Sequence, residues 1–328
     1  MTLSIHILCA GHEVSVAQLA NSGLASDRLR LVPAALAVQQ SDLKLTMGDD
    51  IPSDANIVLV GKLKTYEIET RQPRWLQQLH HFSSKGGYVV LDYTDHHLAI
   101  TSPQSGFYSE VIDITDRLVV PSQAMKEVLS GQYKMPMDVV EDRLEFGPLP
   151  PKLPEQYSDT VLWFGHGSNL KFLAQLIENW PSTAIKKSLL ILSGKGGDDL
   201  LRQYLSGKSV RIGLQYMEWS INSLLLAARR ADVSIIPSNT DSYKKYASSN
   251  RLITSLTLGL PTVATTLPSY AEFNDCFAEL ASLEGEATLA EPERGIHGVQ
   301  LFQENYMHRF FDEQIVKNWN RVFATCLS

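Results

Sequence analysis

The sequence predicts an α/β protein built from two doubly wound, Rossmann-like domains that face a cleft. Short β-branched apolar runs alternate with longer helical stretches, and this alternation occurs twice, once on each side of a proline-rich segment. Doubly wound sheets are expected where strands and helices alternate in this way. The length agrees, because 328 residues exceed what one hydrophobic core usually organises.

The predicted strands are apolar runs that are continuous rather than alternating, as is typical of strands buried on both faces of a parallel sheet. After a first strand within residues 1–9, they cover 56–60, 88–93, 117–120, 137–140, 160–164, 188–193, 232–236 and 261–265. Helical stretches between them supply the crossovers that parallel strands need, and the clearest are 122–130, 168–179, 220–230 and 249–258.

The proline-rich segment divides the chain into an N-terminal domain, 1–147, and a C-terminal domain, 158–304. Its prolines cannot continue a helix or a central strand, so residues 148–157 are predicted to form a stiff extended linker. The last stretch, 305–328, carries apolar residues at roughly helical spacing up to residue 326. We therefore expect an amphipathic C-terminal helix.

Composition excludes several classes of protein. Lys and Arg number 29 against 36 Asp and Glu, a net charge of −7, which argues against a general nucleic-acid binder. The three cysteines, Cys9, Cys276 and Cys326, are too far apart to indicate a disulfide framework or a thiolate zinc site. The start lacks a basic n-region, and no apolar run approaches the ~20 residues of a membrane span, so we expect a cytoplasmic protein without an integral membrane segment.

A glycine-containing loop follows the predicted strand 160–164. Ligands of doubly wound sheets bind beyond the carboxyl ends of the strands, and glycines let the backbone approach a phosphate closely. Gly165, Gly167, Ser168 and Asn169 form this loop, and either polar residue can cap the following helix. Leu170 stands where a dinucleotide fingerprint would have its third glycine, so a tight turn without a ligand is the alternative.

A second candidate site surrounds the start of the predicted helix 249–258. Ser248 or Ser249 is expected to cap this helix, while Gly259 ends it. Lys244, Lys245 and Arg251 place positive charge near its N-terminus, against the helix dipole. A bound anion would relieve that repulsion; the alternative is that these cations extend into water.

These segments resemble the nucleotide-sugar region of group 1 glycosyltransferases with the GT-B fold. The resemblance rests on the run from Asn250 to Ala264 with the following Pro268-Ser269-Tyr270, and on three shorter segments. Those segments are Trp163-Phe164-Gly165, Ala231-Asp232-Val233-Ser234-Ile235-Ile236-Pro237-Ser238, and Leu118-Val119-Val120-Pro121-Ser122. The resemblance spans most of the chain, is strongest from 160 to 272 and is weak before residue 55.

The resemblance implies a nucleotide-sugar donor held by the C-terminal domain and an acceptor held by the N-terminal one. It also implies that no metal is needed, because helix ends and cations neutralise the departing diphosphate. The C-terminal helix would then pack back on the N-terminal domain. The implied donor-binding residues are Gly165, Gly167, Ser168, Asn169, Lys171, Lys245, Ser248, Ser249, Asn250, Arg251 and Thr254.

The remainder of the donor is predicted to lie over two further loops. Gly194 and Lys195 follow the strand 188–193, and Tyr216, which precedes the helix 220–230, can stack on a base. Retaining members of the family commonly carry two glutamates at the positions of Tyr246 and Thr254. Neither residue is a carboxylate, so the stereochemistry of transfer is left open.

Candidate acid–base residues lie in the N-terminal domain. Asp95 and His96 follow the strand 88–93, where carboxylates beside imidazoles suit proton transfer, although a polar turn would have the same sequence. His12 follows the first strand, and a histidine there acts as base in some inverting GT-B enzymes; a plain loop histidine is the alternative. We expect no metal at either place.

The sequence thus predicts a metal-independent transferase that moves a sugar from a nucleotide donor onto a glycan, lipid-linked or small-molecule acceptor. The donor is a substrate, so no separate cofactor is expected, and a lipid-linked acceptor would entail peripheral membrane contact. The first alternative is a catalytically silent GT-B protein that binds a nucleotide sugar or a partner enzyme. An NAD-type oxidoreductase is disfavoured, because the turn at Gly11 lacks the required glycine spacing.

Overall fold

A computed structural model describes residues 3–64, 67–153, 158–180, 188–240, 243–280 and 292–326. The chain divides into two compact units. The first unit comprises Met1–Arg143, Tyr246–Ser248 and Arg309–Ser328, and the second comprises Leu144–Lys245 and Ser249–His308. Both units are α/β, as the sequence predicts.

Each unit contains a six-stranded sheet in which every pair of neighbours is parallel. The strands of the first sheet are β1 (Ser4–Leu8), β2 (Lys44–Gly48), β3 (Ile57–Val60), β4 (Tyr88–Asp92), β5 (Arg117–Val120) and β6 (Met137–Val139). Those of the second are β7 (Thr160–Phe164), β8 (Ser188–Ser193), β9 (Gly213–Glu218), β10 (Val233–Ile236), β11 (Thr262–Ala264) and β12 (Ala278–Glu279).

Helices connect the strands and cover the sheets. They are α1 (Val16–Ala20), α2 (Val32–Gln39), α3 (Ile68–Ser84), α4 (Pro103–Ile112), α5 (Gln123–Ser130), α6 (Leu170–Glu178), α7 (Gly197–Leu205), α8 (Ile221–Arg230), α9 (Asn250–Thr257), α10 (Pro292–Asn305) and α11 (Asp312–Cys326). No helix in the described ranges is both long enough and apolar enough to span a bilayer.

The first sheet has the order β2-β1-β3-β4-β5-β6. Its connections change direction after β1, because β2 lies on one side of β1 and β3 on the other. The helix α11 belongs to this unit, and its buried Ile315, Trp319 and Phe323 share a core with Val32 on α2. The C-terminal helix is thus part of the first unit's hydrophobic core.

The second sheet has the order β12-β11-β10-β7-β8-β9. Counted from β7, this is the 3-2-1-4-5-6 order of dinucleotide-binding folds, whose crevice opens where the strand order reverses. Here the reversal lies between β7 and β10. The loops that follow these two strands therefore flank the place where such a sheet binds its ligand.

The predicted strands and helices are confirmed, whereas β2, β9 and β12 are missing from the prediction. All three lie at or beside an open edge: β2 and β9 are largely exposed or half-buried, and β12 has only two residues. Edge strands carry no continuous apolar run, because one side faces solvent. Their residue types consequently resemble those of loops.

The described part of the proline-rich segment is packed within the second unit. The amide of Leu149 donates to the carbonyl of Thr257 at 2.8 Å, and that of Lys152 to Gly259 at 3.1 Å. A Cβ on Gly259, whose φ is +72°, would lie 2.2 Å from the Pro150 carbonyl oxygen. Residues 148–153 of the predicted linker are therefore hydrogen-bonded within the second unit, and residues 154–157 lie outside the described residues.

Candidate functional site

The loop after β7 lies at the reversal point of the second sheet. Gly165 extends from the strand, and Gly167–Asn169 form a 3₁₀ turn that leads directly into α6. Gly165, Gly167 and Asn169 are half-buried, while Ser168 is exposed. The backbone of this loop is thus accessible at the carboxyl edge of the sheet, where the sequence predicts a phosphate.

His166, rather than Ser168 or Asn169, caps the turn. Its Nδ1 accepts the backbone N–H of Ser168 at 3.2 Å and lies 3.0 Å from the Ser168 hydroxyl. Asn169 occupies the N-cap position of α6, but its side chain makes no capping hydrogen bond. Helix capping by the side chain of Ser168 or Asn169 is therefore wrong. The His166 imidazole instead satisfies the backbone N–H of Ser168 at the start of the turn.

Two cationic side chains reach this loop from residues near α9. The Nζ of Lys244 donates to the Ser168 hydroxyl at 2.8 Å and lies 3.5 Å from Asn169 Oδ1. The side chain of Arg251 passes Gly165, with its Cδ 3.6 Å from the position a glycine Cβ would take. Arg251 Nη1 is buried and has no hydrogen-bond partner among the described residues.

Tyr270 lies near the Arg251 guanidinium. Burial raises the pKa of Tyr270, and the nearby guanidinium acts in the opposite direction. A buried donor without a partner costs about 1–3 kcal/mol, more when it is charged. Arg251 therefore has one buried donor nitrogen available for an anionic ligand.

The N-terminus of α9 is organised differently from the prediction. Ser249 is the N-cap residue, but its side chain makes no capping hydrogen bond. Ser248 belongs to the first unit, where its hydroxyl donates to Asp142 at 2.6 Å. Asn250 begins the helix, and Thr254 is buried within it. Helix capping by a serine hydroxyl is thus wrong here, whereas ligand binding by these residues stays a prediction.

A cavity of about 160 Å³ opens beside the β7 loop, at the carboxyl ends of β7 and β8. Its lining comes from the β7 loop, the β8 loop and the start of α7, and consists of His166, Gly167, Ser193, Gly194, Lys195, Gly196, Gly197 and Leu200. The predicted residues Gly194 and Lys195 are exposed at its wall. The sequence analysis missed His166 and Ser193.

The Tyr216 hydroxyl contacts the backbone of the β8 loop. It donates to the carbonyls of Ser193 at 3.0 Å and Gly194 at 2.6 Å. A Cβ on Gly197 would lie 2.6 Å from that hydroxyl, so only glycine fits there. Burial raises the pKa of Tyr216, which stays a phenol. Tyr216 thus braces the loop, and base stacking by its ring stays a prediction.

Lys171 and Lys245 lie near the cluster in sequence. The Nζ of Lys171 lies 4.9 Å from the ring centroid of Phe172. The backbone carbonyl of Lys245 is 3.4 Å from the hydroxyl of Ser269. Their binding roles stay predictions, whereas Lys244, which the sequence predicts to add positive charge near the start of α9, contacts the β7 loop directly.

The predicted acid–base residues Asp95 and His96 lie in the first unit, after β4. The carboxylate of Asp95 is paired with the Nζ of Lys62. His96 is only 4% exposed, and its Nδ1 lies 3.2 Å from the Tyr93 hydroxyl. The two side chains are parts of a packed polar cluster, and their catalytic role stays a prediction.

The second predicted base, His12, lies on the exposed loop after β1. This loop is fastened by Asp49, whose Oδ2 accepts the Gly11 amide at 2.9 Å while its own amide donates to the Gly11 carbonyl at 2.8 Å. Arg71 and Trp75 donate to the other carboxylate oxygen at 2.9 and 3.0 Å. Hydrogen bonds from Asp49 therefore fix the backbone next to His12, at the reversal point of the first sheet.

The first unit contains a buried network of ion pairs near its strand ends, which the sequence did not predict. Arg30, 1% exposed, donates to both carboxylate oxygens of Asp92 and lies 3.5 Å from Asp142 Oδ1. Its guanidinium carbon is 5.7 Å from the Trp319 ring centroid on α11. Burial acts to lower the pKa of Arg30, but the pairing with Asp92 outweighs it and raises that pKa. Asp92 is thus structural.

Searches against family models and curated proteins found no match, whereas solved structures match in fold. A sucrose-phosphate synthase from Thermosynechococcus elongatus aligns with a TM-score of 0.65 at 10% identity, over 99% of both chains. A DNA-modifying β-glucosyltransferase aligns at 0.53 and 8% identity, over 99% of this chain and 100% of that chain. An E. coli trehalose-6-phosphate protein bound with UDP-2-fluoro glucose aligns at 0.51 and 10% identity, over 99% and 98%.

The chain has the GT-B fold. This GT-B chain therefore has the two Rossmann-like units that its sequence predicts. The structural similarity also covers the first 55 residues, where the resemblance in sequence to the family is weak. At these identities the likeness concerns the fold alone. No group of three or more His, Cys, Asp or Glu side chains in the described ranges is arranged to hold a metal ion.

Proposed function

We propose that this chain is a glycosyltransferase that transfers a sugar from a nucleotide-sugar donor to a glycan, lipid-linked or small-molecule acceptor. The observation that carries the proposal is the buried Arg251 Nη1, which has no hydrogen-bond partner among the described residues, on a side chain whose Cδ passes Gly165 at the reversal point of the second sheet. A cation with an unused donor at this place suits the diphosphate of a nucleotide sugar. The uridine diphosphoglucose handled by the GT-B β-glucosyltransferase supports this class of donor.

In this reaction the bond between the sugar anomeric carbon and the diphosphate oxygen breaks, and a bond to an acceptor hydroxyl oxygen forms. The acceptor hydroxyl gives its proton to a base or to the departing diphosphate, and the nucleoside diphosphate leaves with the electron pair of the broken bond. Arg251, Lys244 and the amides of the β7 loop would stabilise that charge as it develops. A preorganised donor at such a place is worth about 3 kcal/mol, so several donors supply more than one acid–base residue does.

Metal independence is part of the proposal. Lys244 and Arg251 supply positive charge at the loop, and the β7 loop supplies backbone amides, which together replace a divalent ion at the leaving group. We expect donor consumption to be unchanged after EDTA treatment. Activity that is lost with EDTA and restored by Mg²⁺ or Mn²⁺ would contradict this part and leave the transferase assignment intact.

Binding measurements on Arg251 test the proposal directly. Arg251→Ala should weaken binding of a nucleoside diphosphate by about 10- to 100-fold, because a hydrogen bond to a charged group is worth about 1.5–3 kcal/mol. Binding of the matching nucleoside should change little. Equal losses for both ligands would contradict a diphosphate contact. Arg230→Ala is the matched control, since this exposed arginine of the second unit donates to Gln215 at 2.7 Å and is not among the predicted donor-binding residues.

A catalytically silent binding protein is the second candidate, and Tyr246 and Thr254 favour it. Tyr246 packs its ring against His96, at 6.1 Å between centroids, and its carbonyl accepts the Ser122 hydroxyl. Thr254 is buried. Neither can supply the carboxylates common in retaining relatives. A panel of nucleotide sugars, with hydrolysis and transfer followed by release of nucleoside diphosphate, separates the two: binding without turnover would favour the silent protein.

A further inference from the structure

We infer that the open edge of the second sheet, formed by β9 (Gly213–Glu218), pairs with the same edge of a second copy of this chain. The two strands would run antiparallel around a two-fold axis and join the two six-stranded sheets. The inference does not depend on the proposed function, because it concerns association of the chain and not its ligand. It assigns a partner to a strand edge that the fold leaves unpaired.

The strand β9 is the longest edge strand of the two sheets and the least protected. It has six residues, whereas β6 has three and β12 has two. The edge strand β2 has five, and its Met47 carbonyl already accepts the Val14 amide at 3.0 Å. Natural sheets protect open edges with short strands, prolines or charges. The run from Ile212 to Met217 contains neither proline nor a charged residue, as expected of a strand that has a partner.

The backbone of β9 presents two residues to that partner. The Trp219 amide donates to the Ser193 carbonyl on β8 at 2.8 Å, so the odd-numbered residues of β9 turn their backbone groups towards β8. The N–H and C=O groups of Leu214, Tyr216 and Glu218 therefore point to the open edge. The Glu218 carbonyl is already bonded to a serine hydroxyl of α8. Leu214 and Tyr216 have no further strand beside them in the described part of the chain.

These two residues fix the register of the pairing. In an antiparallel pair, residues that exchange both hydrogen bonds alternate with residues that exchange none. The register that satisfies both residues within β9 places Leu214 of one copy opposite Tyr216 of the other, and Tyr216 opposite Leu214. Gln215 then lies at the two-fold axis. Each copy donates and accepts through the same two residues, so the contact is closed and ends at a dimer.

The charges at this edge are segregated along the strand direction. The basic residues lie where β9 begins and α8 ends, and are Arg211, Arg229 and Arg230. The acidic residues lie where β9 ends and α7 begins, and are Glu218, Asp198 and Asp199. An antiparallel pair places the basic end of each copy beside the acidic end of the other, whereas a parallel pair would place like charges together. This complementarity favours a second copy as the partner.

Exposed apolar side chains flank the same edge. In the described ranges seven large apolar side chains are more than a third exposed, and four belong to β9 or to elements beside it: Tyr204, Val210, Leu214 and Leu226. Leu214 lies on the α7 face, because its alternate neighbours Ile212 and Tyr216 pack into the core with Leu201. Leu226 is one helical turn before Arg230, whose guanidinium donates to Gln215. Both faces of the edge thus offer apolar surface that a second copy would cover.

Sedimentation equilibrium of the full chain at micromolar to submillimolar concentrations tests the inference, and we expect a monomer–dimer equilibrium. Leu214→Lys should raise the Kd of the dimer by about tenfold or more, because a lysine on an edge strand opposes pairing and the two-fold axis counts it twice. Leu3→Lys is the matched control, since Leu3 is 39% exposed against 38% for Leu214 but precedes β1 in the first unit. Its Kd should equal that of the wild type.

A charge exchange separates a second copy from any other partner. Arg211→Glu should weaken the dimer by about three- to tenfold, because the basic end of β9 would then repel the acidic end of the other copy. Adding Glu218→Lys to that variant exchanges the two ends and should restore the dimer. A monomeric wild type, species larger than a dimer, a dimer that Leu214→Lys leaves intact, or a double variant as weak as Arg211→Glu alone would overturn the inference.

Discussion

Arg251 lies across Gly165, with its Cδ 3.6 Å from the point where a Cβ on that glycine would stand. Two ring atoms of Trp163 are 3.3 and 3.4 Å from the same point. The close contacts at this glycine are therefore with Trp163, and the Arg251 side chain passes it at ordinary van der Waals distance. The backbone φ of Gly165 is not in the left-handed region, so the need for glycine here is spatial and not conformational.

Gly165→Ala should weaken pyrophosphate binding by about three- to tenfold, because the added methyl group would lie 3.3 and 3.4 Å from Trp163 and would shift the β7 loop that carries the proposed anion-binding amides. The free energy of unfolding should fall by less than about 1 kcal/mol, since the contacts are tight but not overlapping. Calorimetry with pyrophosphate and urea unfolding measure the two effects. Gly147→Ala, where nothing lies within 4 Å of the new methyl group, is the control. Unchanged pyrophosphate binding would contradict an anion-binding role of the β7 loop amides.

Gly259→Ala should instead destabilise the fold. The φ of Gly259 is +72°, which disfavours alanine, and the methyl group would lie 2.2 Å from the Pro150 carbonyl oxygen. We expect a loss of about 2 kcal/mol or more in the free energy of unfolding. Urea denaturation with the same Gly147→Ala control provides the measurement. A loss as small as that of the control would mean that the proline-rich segment moves away without cost.

Arg30→Leu should lower the free energy of unfolding by about 3–5 kcal/mol, because Asp92 and Asp142 would be left buried without their cation. Burial already raises the pKa of Asp142, with Arg30 and the Ser248 hydroxyl acting in the opposite direction. Arg74→Leu removes a comparable pair with Asp50 in which both side chains are more than half exposed, and should cost at most about 1 kcal/mol. Similar losses in the two variants would refute a special role for the buried network.

His6 should make stability depend on pH between about 6.5 and 4. Burial lowers its pKa from 6.5 to about 4 in the folded chain, where its ring contacts Thr46 and the Gly48 carbonyl. The unfolded chain takes up the proton near pH 6.5 and the folded chain only near pH 4. Its contribution is therefore fully present above pH 6.5 and decreases by about 3 kcal/mol as the pH falls to 4.

Urea unfolding of the wild type and His6→Gln at several pH values isolates this effect. The stability difference between the two proteins should shrink as the pH falls through that window and stay constant below it. His80→Gln, at a half-exposed histidine on α3, should follow the wild type. A difference that does not vary with pH would mean that His6 is protonated equally in both states.

The sequence predicted the central strands because burial on both faces demands continuous apolar runs such as 188–193. It missed β9, which forms the sheet edge and whose residues are exposed or half-buried. The candidate site likewise contains residues that the sequence predicted and residues that it did not. The glycines of the β7 loop and the cations near α9 were visible as local patterns, whereas Ser193 looked like any strand residue and His166 like any loop residue.

By itself the sequence determined the α/β class, the two-fold repetition of the pattern and the two loops that carry glycine and charge. These are local properties, fixed by hydrophobic periodicity and by the residue types that turns and helix ends require. Only the tertiary structure decided which donors have no partner, which carboxylate pairs with Arg30 and which histidine caps the β7 loop. Hydrogen bonding and desolvation depend on neighbours far away along the chain, and a linear pattern does not encode those distances.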